Sequence, residues 1–207
     1  MDNLVSEAES NLKLIRTYME RSKRYSNFAG LSGAFGGIYA LLGAFAMRLY
    51  TLGLPQDQKG LGFVITWSTV IALALGTDYL FTRRRENLVE KAVVLRLTRH
   101  MARVALPALI SGIAISIAFV HMGQQDLLYP YWMLAYGSAM AALGISAPRE
   151  VTVLGWSFLA LGALTLLVQS FGPIGLVRAQ FGLVMFMFSF GFLHIVYGVV
   201  VARREGW

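Results

Sequence analysis

The chain of 207 residues contains no cysteine. This absence excludes disulfides, thiol catalysis and thiolate metal sites, although sites built from histidine or carboxylate stay open. Charge is also scarce, because 14% of the residues are charged, against about 25% in an ordinary soluble domain. Since 57% of the residues are hydrophobic, the composition indicates a membrane protein.

Familiar catalytic motifs are missing as well. The sequence has no Walker A phosphate loop, no HExxH zinc helix and no GxSxG nucleophile elbow. It also lacks a cluster of carboxylates that would hold a metal ion. We therefore expect no enzymatic activity, no metal and no bound cofactor.

Charged residues divide the chain into six long uncharged runs. Each run is long enough, or nearly so, for one helical crossing of a bilayer, which takes about 20 residues. A backbone in hydrocarbon must satisfy its own hydrogen bonds, which favours helices. We predict an all-α protein with a single membrane domain, residues 1–207, and six transmembrane helices. The predicted spans are about 27–47, 60–81, 104–122, 128–147, 151–170 and 179–201.

The positions of the basic residues predict the orientation. With six spans, 15 of the 18 Lys and Arg residues fall on one side, and the other side holds Arg48, Lys59 and Arg178. Cytoplasmic loops carry such an excess, so both termini are predicted to be cytoplasmic. The net charge of +7 then faces anionic lipid headgroups rather than nucleic acid.

Two helices are predicted outside the hydrocarbon. Residues 3–24 form an amphipathic pattern, and residues 86–103 form a second cytoplasmic helix. These helices either lie on the anionic inner leaflet or pack on each other and extend the bundle; we favour packing. The apolar stripe of the first consists of Leu4, Ala8, Leu12, Ile15 and Met19.

Small residues mark the first span as a packing helix. They recur three or four positions apart, a spacing that lets helix backbones approach closely in lipid. The set consists of Gly33, Gly36, Gly37, Ala40 and Ala44. We expect these residues to support helix packing, in a homo-oligomer or with another membrane protein.

Four polar side chains are candidates for a cavity or ligand site. Asp78 and His194 are ionisable residues within or at the end of predicted spans, where such residues are costly and often functional. Tyr39 and Tyr197 lie in the first and last spans. The alternatives are an interfacial salt bridge for Asp78 and a structural, hydrogen-bonded role for His194. A tetrapyrrole on His194 is a further alternative, although no second histidine lies at a similar depth.

The segment ERSKRYSNFAGLSGAFGGIYALLGA combines a basic helix with a span rich in Ser and Gly. It resembles the opening of a family of small, uncharacterised bacterial multi-span proteins. The resemblance covers roughly 25 residues of the chain and is limited to the first span. It implies a location in the bacterial inner (plasma) membrane and assigns no activity.

Three functional hypotheses follow. The first is a non-enzymatic membrane protein that acts through partners, as an accessory subunit, sensor or regulator of a membrane complex. The second is a small transporter, channel or lipid/ligand-binding protein, homo-oligomeric and built around the four candidate residues. The third is a cofactor-bearing or enzymatic protein centred on His194.

Overall fold

The computed structural model describes residues 29–52, 54–55, 58–86, 91–144, 149–171 and 176–204, together with Leu12. These residues are helical with short connections and contain no strand, so the prediction of an all-α protein is confirmed. The helices are α1 (Ala29–Thr51), α2 (Lys59–Glu86), α3 (Lys91–His121), α4 (Leu128–Leu143), α5 (Arg149–Phe171), α6 (Leu176–Phe186) and α7 (His194–Arg204). A π-helical segment, Met187–Leu193, joins α6 to α7, and the three together are called the last helix. The amphipathic helix predicted over residues 3–24 lies outside the described residues, apart from Leu12.

Five helical stretches are long and apolar enough to cross a membrane, which supports a multi-pass membrane protein. They are Gly30–Thr51, Lys59–Phe81, Met101–His121, Arg149–Phe171 and Gln180–Arg203. The predicted fourth span corresponds to α4, which has 16 residues and follows a 3-10 turn at Gln125–Leu127. At 1.5 Å per residue it is about 24 Å long, shorter than the roughly 30 Å of hydrocarbon.

The third long helix differs from the prediction. We predicted a cytoplasmic helix over residues 86–103 and a separate span over 104–122, but α3 runs unbroken from Lys91 to His121. Residues 91–106 contain no Gly, Pro, Asn or Asp that would end a helix. Pro107 lies inside α3, where its ring removes one backbone hydrogen bond, to the carbonyl of Arg103.

Helices α4 and α5 form an antiparallel hairpin with close backbone contact. Gly137 on α4 and Gly144 at its C-cap are seven residues apart, so they lie on one side of the helix, and Gly155 and Gly162 repeat that spacing on α5. A Cβ atom added to Gly155 would lie 2.5 Å from the backbone nitrogen of Ala141. Glycine therefore brings these two helices together.

Exposed arginines gather at one end of the bundle. The start of α1 touches the end of the last helix, since a Cβ atom on Gly30 would lie 3.0 Å from the backbone nitrogen of Ala202. Neighbouring helices run antiparallel, which brings further helix ends to the same side. We call this the basic end; its exposed arginines are Arg83, Arg99, Arg103, Arg149 and Arg203.

The outer surface of the bundle is apolar. Large side chains such as Leu42, Trp156 and Ile117 are 62–68% exposed, whereas Met133 and Phe158 inside the bundle are fully buried. Water would strongly disfavour such a surface, but lipid tails do not. The fold therefore fits a bilayer as its solvent.

Candidate functional site

His194 lies inside the bundle and is hydrogen-bonded on both sides of its ring. Its Nε2 is 2.8 Å from the hydroxyl of Tyr136 on α4, and its Nδ1 is 3.4 Å from the carbonyl oxygen of Ser189. A carbonyl oxygen can only accept, so Nδ1 carries the proton and Nε2 accepts the hydrogen bond from the Tyr136 hydroxyl. The geometry therefore fits a neutral imidazole that clamps the last helix to α4.

Aromatic rings enclose this imidazole. Phe190 stacks on it with an angle of 8° between the planes, and Phe158 meets it edge-on at 5.2 Å. Both ring nitrogens have partners, so an iron atom could bind His194 only if one hydrogen bond broke. The arrangement favours the structural role left open for His194 over the tetrapyrrole.

The π-helical segment contains Ser189, whose carbonyl oxygen accepts the hydrogen bond from Nδ1 of His194. Its carbonyls pair with amides five residues later rather than four, and the His194 ring reaches the carbonyl of Ser189, also five residues earlier. The Ser189 hydroxyl donates to the carbonyl of Phe186 at 3.2 Å. The His194 ring thus bonds to a backbone carbonyl of the π-helical segment that precedes it.

The structure gives the other candidate residues separate partners. The Tyr39 hydroxyl lies 3.1 Å from Oγ1 of Thr77 and so links α1 to α2. The Tyr197 ring lies over Gly33, 3.4 Å from the position of an added Cβ atom. Asp78 is exposed on α2. Within the described residues, no group of three His, Asp or Glu side chains could hold a metal ion.

Four of the five small residues predicted for packing do pack within the chain. Gly33 and Gly37 face the last helix, where a Cβ atom on Gly37 would lie 2.6 Å from the carbonyl oxygen of Gly191. Ala40 and Ala44 are buried. Gly36 differs, because nothing lies within 4 Å of its added Cβ atom, so it supports no helix contact within this chain.

Gly36 borders open space on the core-facing side of α1. It lies on the same side of α1 as Ala40 and Met47, four and eleven positions later, and both of these are buried. Packing on that side of α1 is therefore interrupted at Gly36. It resumes one turn nearer the basic end at Ser32, which is buried.

Helix α2 shows the same loss of packing. Trp67 is buried against Phe186, with ring centroids 4.7 Å apart. Ile71 and Asp78, four and eleven positions later, share that side of the helix, but Ile71 is 47% exposed and Asp78 is exposed as well. The side of α2 that enters the core near Trp67 is uncovered near Asp78.

Helix α3 forms the facing wall. Val120 contacts α2 at Gly60, 2.9 Å from the position of an added Cβ atom. Ile113, Leu106 and Arg99 precede Val120 at steps of seven, so they lie on nearly the same side of α3. Ile113 and Leu106 are 51% and 52% exposed, and Arg99 is exposed. Helices α2 and α3 therefore meet at one end and separate toward the basic end.

The end opposite the basic end is closed by aromatic packing. Phe63 and Tyr129 meet edge-on at 5.7 Å, and Tyr129 meets Phe186 at 5.5 Å. The indole nitrogen of Trp67 is buried and has no hydrogen-bond partner. We use the word opening for the region defined by Gly36 on α1, by the exposed side of α2 from Ile71 to Asp78, and by the exposed side of α3 from Ile113 to Arg99.

Sequence reasoning missed most of this site. It named Asp78 and His194 but not Tyr136, which is a tyrosine in the middle of an apolar run and so carried the same signal as Tyr39. It also missed the walls at Ile71 and Ile113, since apolar residues in a span look alike whether they face lipid or an opening. Comparisons of the chain with protein-family models, with curated proteins and with solved structures find no match.

Proposed function

We propose that this protein is a non-enzymatic integral membrane protein that binds an amphipathic molecule in the opening between α1, α2 and α3. This is the lipid- or ligand-binding form of the second hypothesis. The observation that carries the proposal is Gly36, which lies on the core-facing side of α1 with nothing within 4 Å. The same side of α1 is packed at Ala40 and Met47.

The chemistry of the walls defines the class of ligand. Empty space beside apolar side chains forfeits dispersion contacts, so an acyl chain or another apolar group would occupy it. At the basic end the same space is bordered by Asp78 and Arg99, which favour a polar group. An amphipathic molecule satisfies both parts.

The remaining polar groups favour a structural role. His194 and Tyr136 bond to each other, as do Tyr39 and Thr77. Hydrogen bonds of this kind hold membrane helices together. Because these polar groups bond to each other, the opening is a better candidate for ligand binding than they are.

The topology that accompanies this proposal has six crossings and both termini in the cytoplasm. Its support is the contact of Gly30 with Ala202, because a chain that enters and leaves at one end crosses an even number of times. Helix α4 would then be the sixth crossing, lengthened by the residues that flank it. The basic end would face the cytoplasm, where exposed arginines are preferred.

The test fills the opening with a side chain. Gly36→Leu places a side chain in the opening, whereas Gly76→Leu makes the same change at a glycine that also has nothing within 4 Å. Gly76 lies on the opposite side of α2 from Asp78, two residues away, so this variant is the matched control. Purified protein is exchanged from phospholipid vesicles into detergent, and native mass spectrometry counts the lipids that each chain retains.

We expect Gly36→Leu to lose at least one retained lipid and Gly76→Leu to match the original chain. Equal retention in the original chain and both variants would refute the proposal. So would a chain that retains no phospholipid at all.

Action through a protein partner is a second candidate, favoured by the exposure of α3. Within Met101–His121, all of which the structure describes, Gly112 alone is buried. Ile117 on this helix is 68% exposed. A photo-crosslinking residue at Ile117 should then capture one defined protein in the native membrane, and the same residue at Phe171 should not. Capture of lipid alone at both positions would refute this candidate.

A further inference from the structure

The mouth of the opening carries charges of both signs at one depth. Asp78 on α2 directly follows the uncharged run 60–77, and Arg103 on α3 directly precedes the run 104–125. Both residues therefore lie at the same border between hydrocarbon and headgroups. Arg99 lies one turn beyond Arg103 on α3, and Arg83 lies at the end of α2. The three arginines are exposed, and so is Asp78.

Arg99 and Arg103 are spaced to hold one phosphate. Residues four apart on a helix are neighbours on its surface, and the guanidinium group pairs with phosphate through two parallel hydrogen bonds. Arg203 is exposed at the same end of the bundle but belongs to the last helix, outside the opening. The pair Arg99 and Arg103 is therefore a feature of the mouth of the opening that the rest of the basic end, including Arg203, does not share.

Below these arginines, the apolar side of α3 extends at least across one leaflet. Ten residues separate Arg103 from Ile113, which is about 15 Å along the helix axis. This equals half of the roughly 30 Å hydrocarbon thickness. Leu106 and Ile113, both about half exposed, lie within that distance and offer apolar contacts to a chain.

We infer that the opening binds an acidic phospholipid, with its phosphate on Arg99 and Arg103 and an acyl chain between α2 and α3. This inference rests on the proposed function and names its ligand. Asp78 lies at the same border on the preceding long helix, so its negative charge opposes the phosphate. The site therefore has an expected electrostatic pattern, in which arginine removal weakens binding and removal of the Asp78 charge strengthens it.

The experiment compares headgroup selectivity in the original full chain and three variants. The protein is equilibrated with vesicles of equal parts phosphatidylcholine and phosphatidylglycerol, and native mass spectrometry identifies the retained lipids. Each arginine is worth about fivefold in binding, from the usual contribution of a basic residue near an anionic surface. The double variant R99Q/R103Q should therefore lose selectivity for phosphatidylglycerol by roughly 25-fold.

Controls separate the site from general attraction to the membrane. R203Q removes an exposed arginine of the same end and should change selectivity less than twofold. D78N should raise the retention of phosphatidylglycerol. The inference is overturned if R203Q matches the double variant, or if D78N lowers retention.

The result also separates this inference from the proposed function. If Gly36→Leu releases lipid while the retained headgroups mirror the vesicles, the opening binds lipid without selecting acidic headgroups, and the inference fails alone. If no lipid is retained, both fail. Release of a copurifying protein by R99Q/R103Q, with no retained lipid, also overturns the inference.

Discussion

Substituting two adjacent glycines by alanine should affect stability in opposite ways. At Gly37, the new Cβ atom would lie 2.6 Å from the carbonyl oxygen of Gly191 and 3.0 Å from the backbone nitrogen of Ile195. Ordinary contact begins near 3.4 Å, and backbone atoms cannot move aside as side chains can. Helix α1 must therefore shift by about 0.8 Å from the last helix, a strain of the overpacking kind that costs about 1–3 kcal/mol.

At Gly36 the added methyl group meets nothing within 4 Å. Replacing a helical glycine by alanine where the backbone permits it stabilises a protein by about 0.4–1 kcal/mol. Gly36→Ala should therefore be as stable as the original chain or slightly more stable. The two variants should differ by about 1.4–4 kcal/mol, the sum of these two effects.

The assay is reversible unfolding in mixed micelles with increasing sodium dodecyl sulfate, followed by circular dichroism and tryptophan fluorescence. Gly37→Ala should shift the midpoint to lower detergent fraction, and Gly36→Ala should not. If the two variants lost the same stability, or if Gly36→Ala were the weaker one, the assigned faces of α1 would be incorrect.

Three further predictions concern the core, the topology and the cofactor. Tyr136→Phe leaves the buried Nε2 of His194 without its donor and should cost about 1–3 kcal/mol in the same assay; no loss would mean that water replaces the hydroxyl. Because the chain has no cysteine, Gln124→Cys and Arg149→Cys can each be probed alone with an impermeant maleimide in sealed cells. Six crossings predict that position 124 is labelled from outside and position 149 only after lysis, and labelling of both from outside would contradict them. Protein purified from its native membrane should show no absorption band in the visible range, and a haem spectrum that disappears in His194→Ala would contradict the structural role of that residue.

Much of the architecture could be predicted from the sequence, because length and charge set where a helix can cross a bilayer. The five confirmed stretches follow from that rule alone. The sequence could not predict that Gly37 packs against the last helix while Gly36 has no neighbour. Small residues show that a helix can pack closely, but they do not show which neighbour each of its sides meets. Helix α3 continues through Arg103 because a polar border shows where a helix leaves hydrocarbon and does not show where the helix ends.

The site depended on contacts between distant parts of the chain. His194 was identified as a candidate, but its partner Tyr136 is 58 positions away and no local pattern connects them. The walls of the opening depend on where α2 and α3 separate, which is a matter of tertiary packing. The π-helical winding before His194 has no signature among the Phe and Met residues of that span.

The number of residues in the π-helical segment sets the rotation of α7 about its own axis. Each residue of an α-helix turns the chain by about 100°. The wider π-helical turns contain one extra residue, so the residues that follow are rotated about the helix axis by roughly that angle. Deleting one residue from Met187–Leu193 would allow regular winding and would rotate α7 about its own axis. Gly198 would then turn away from Gly30 and Ala34, the backbone atoms it now meets. The segment therefore acts as an angular spacer, and single-residue insertions or deletions should be tolerated less well there than in the connections between helices.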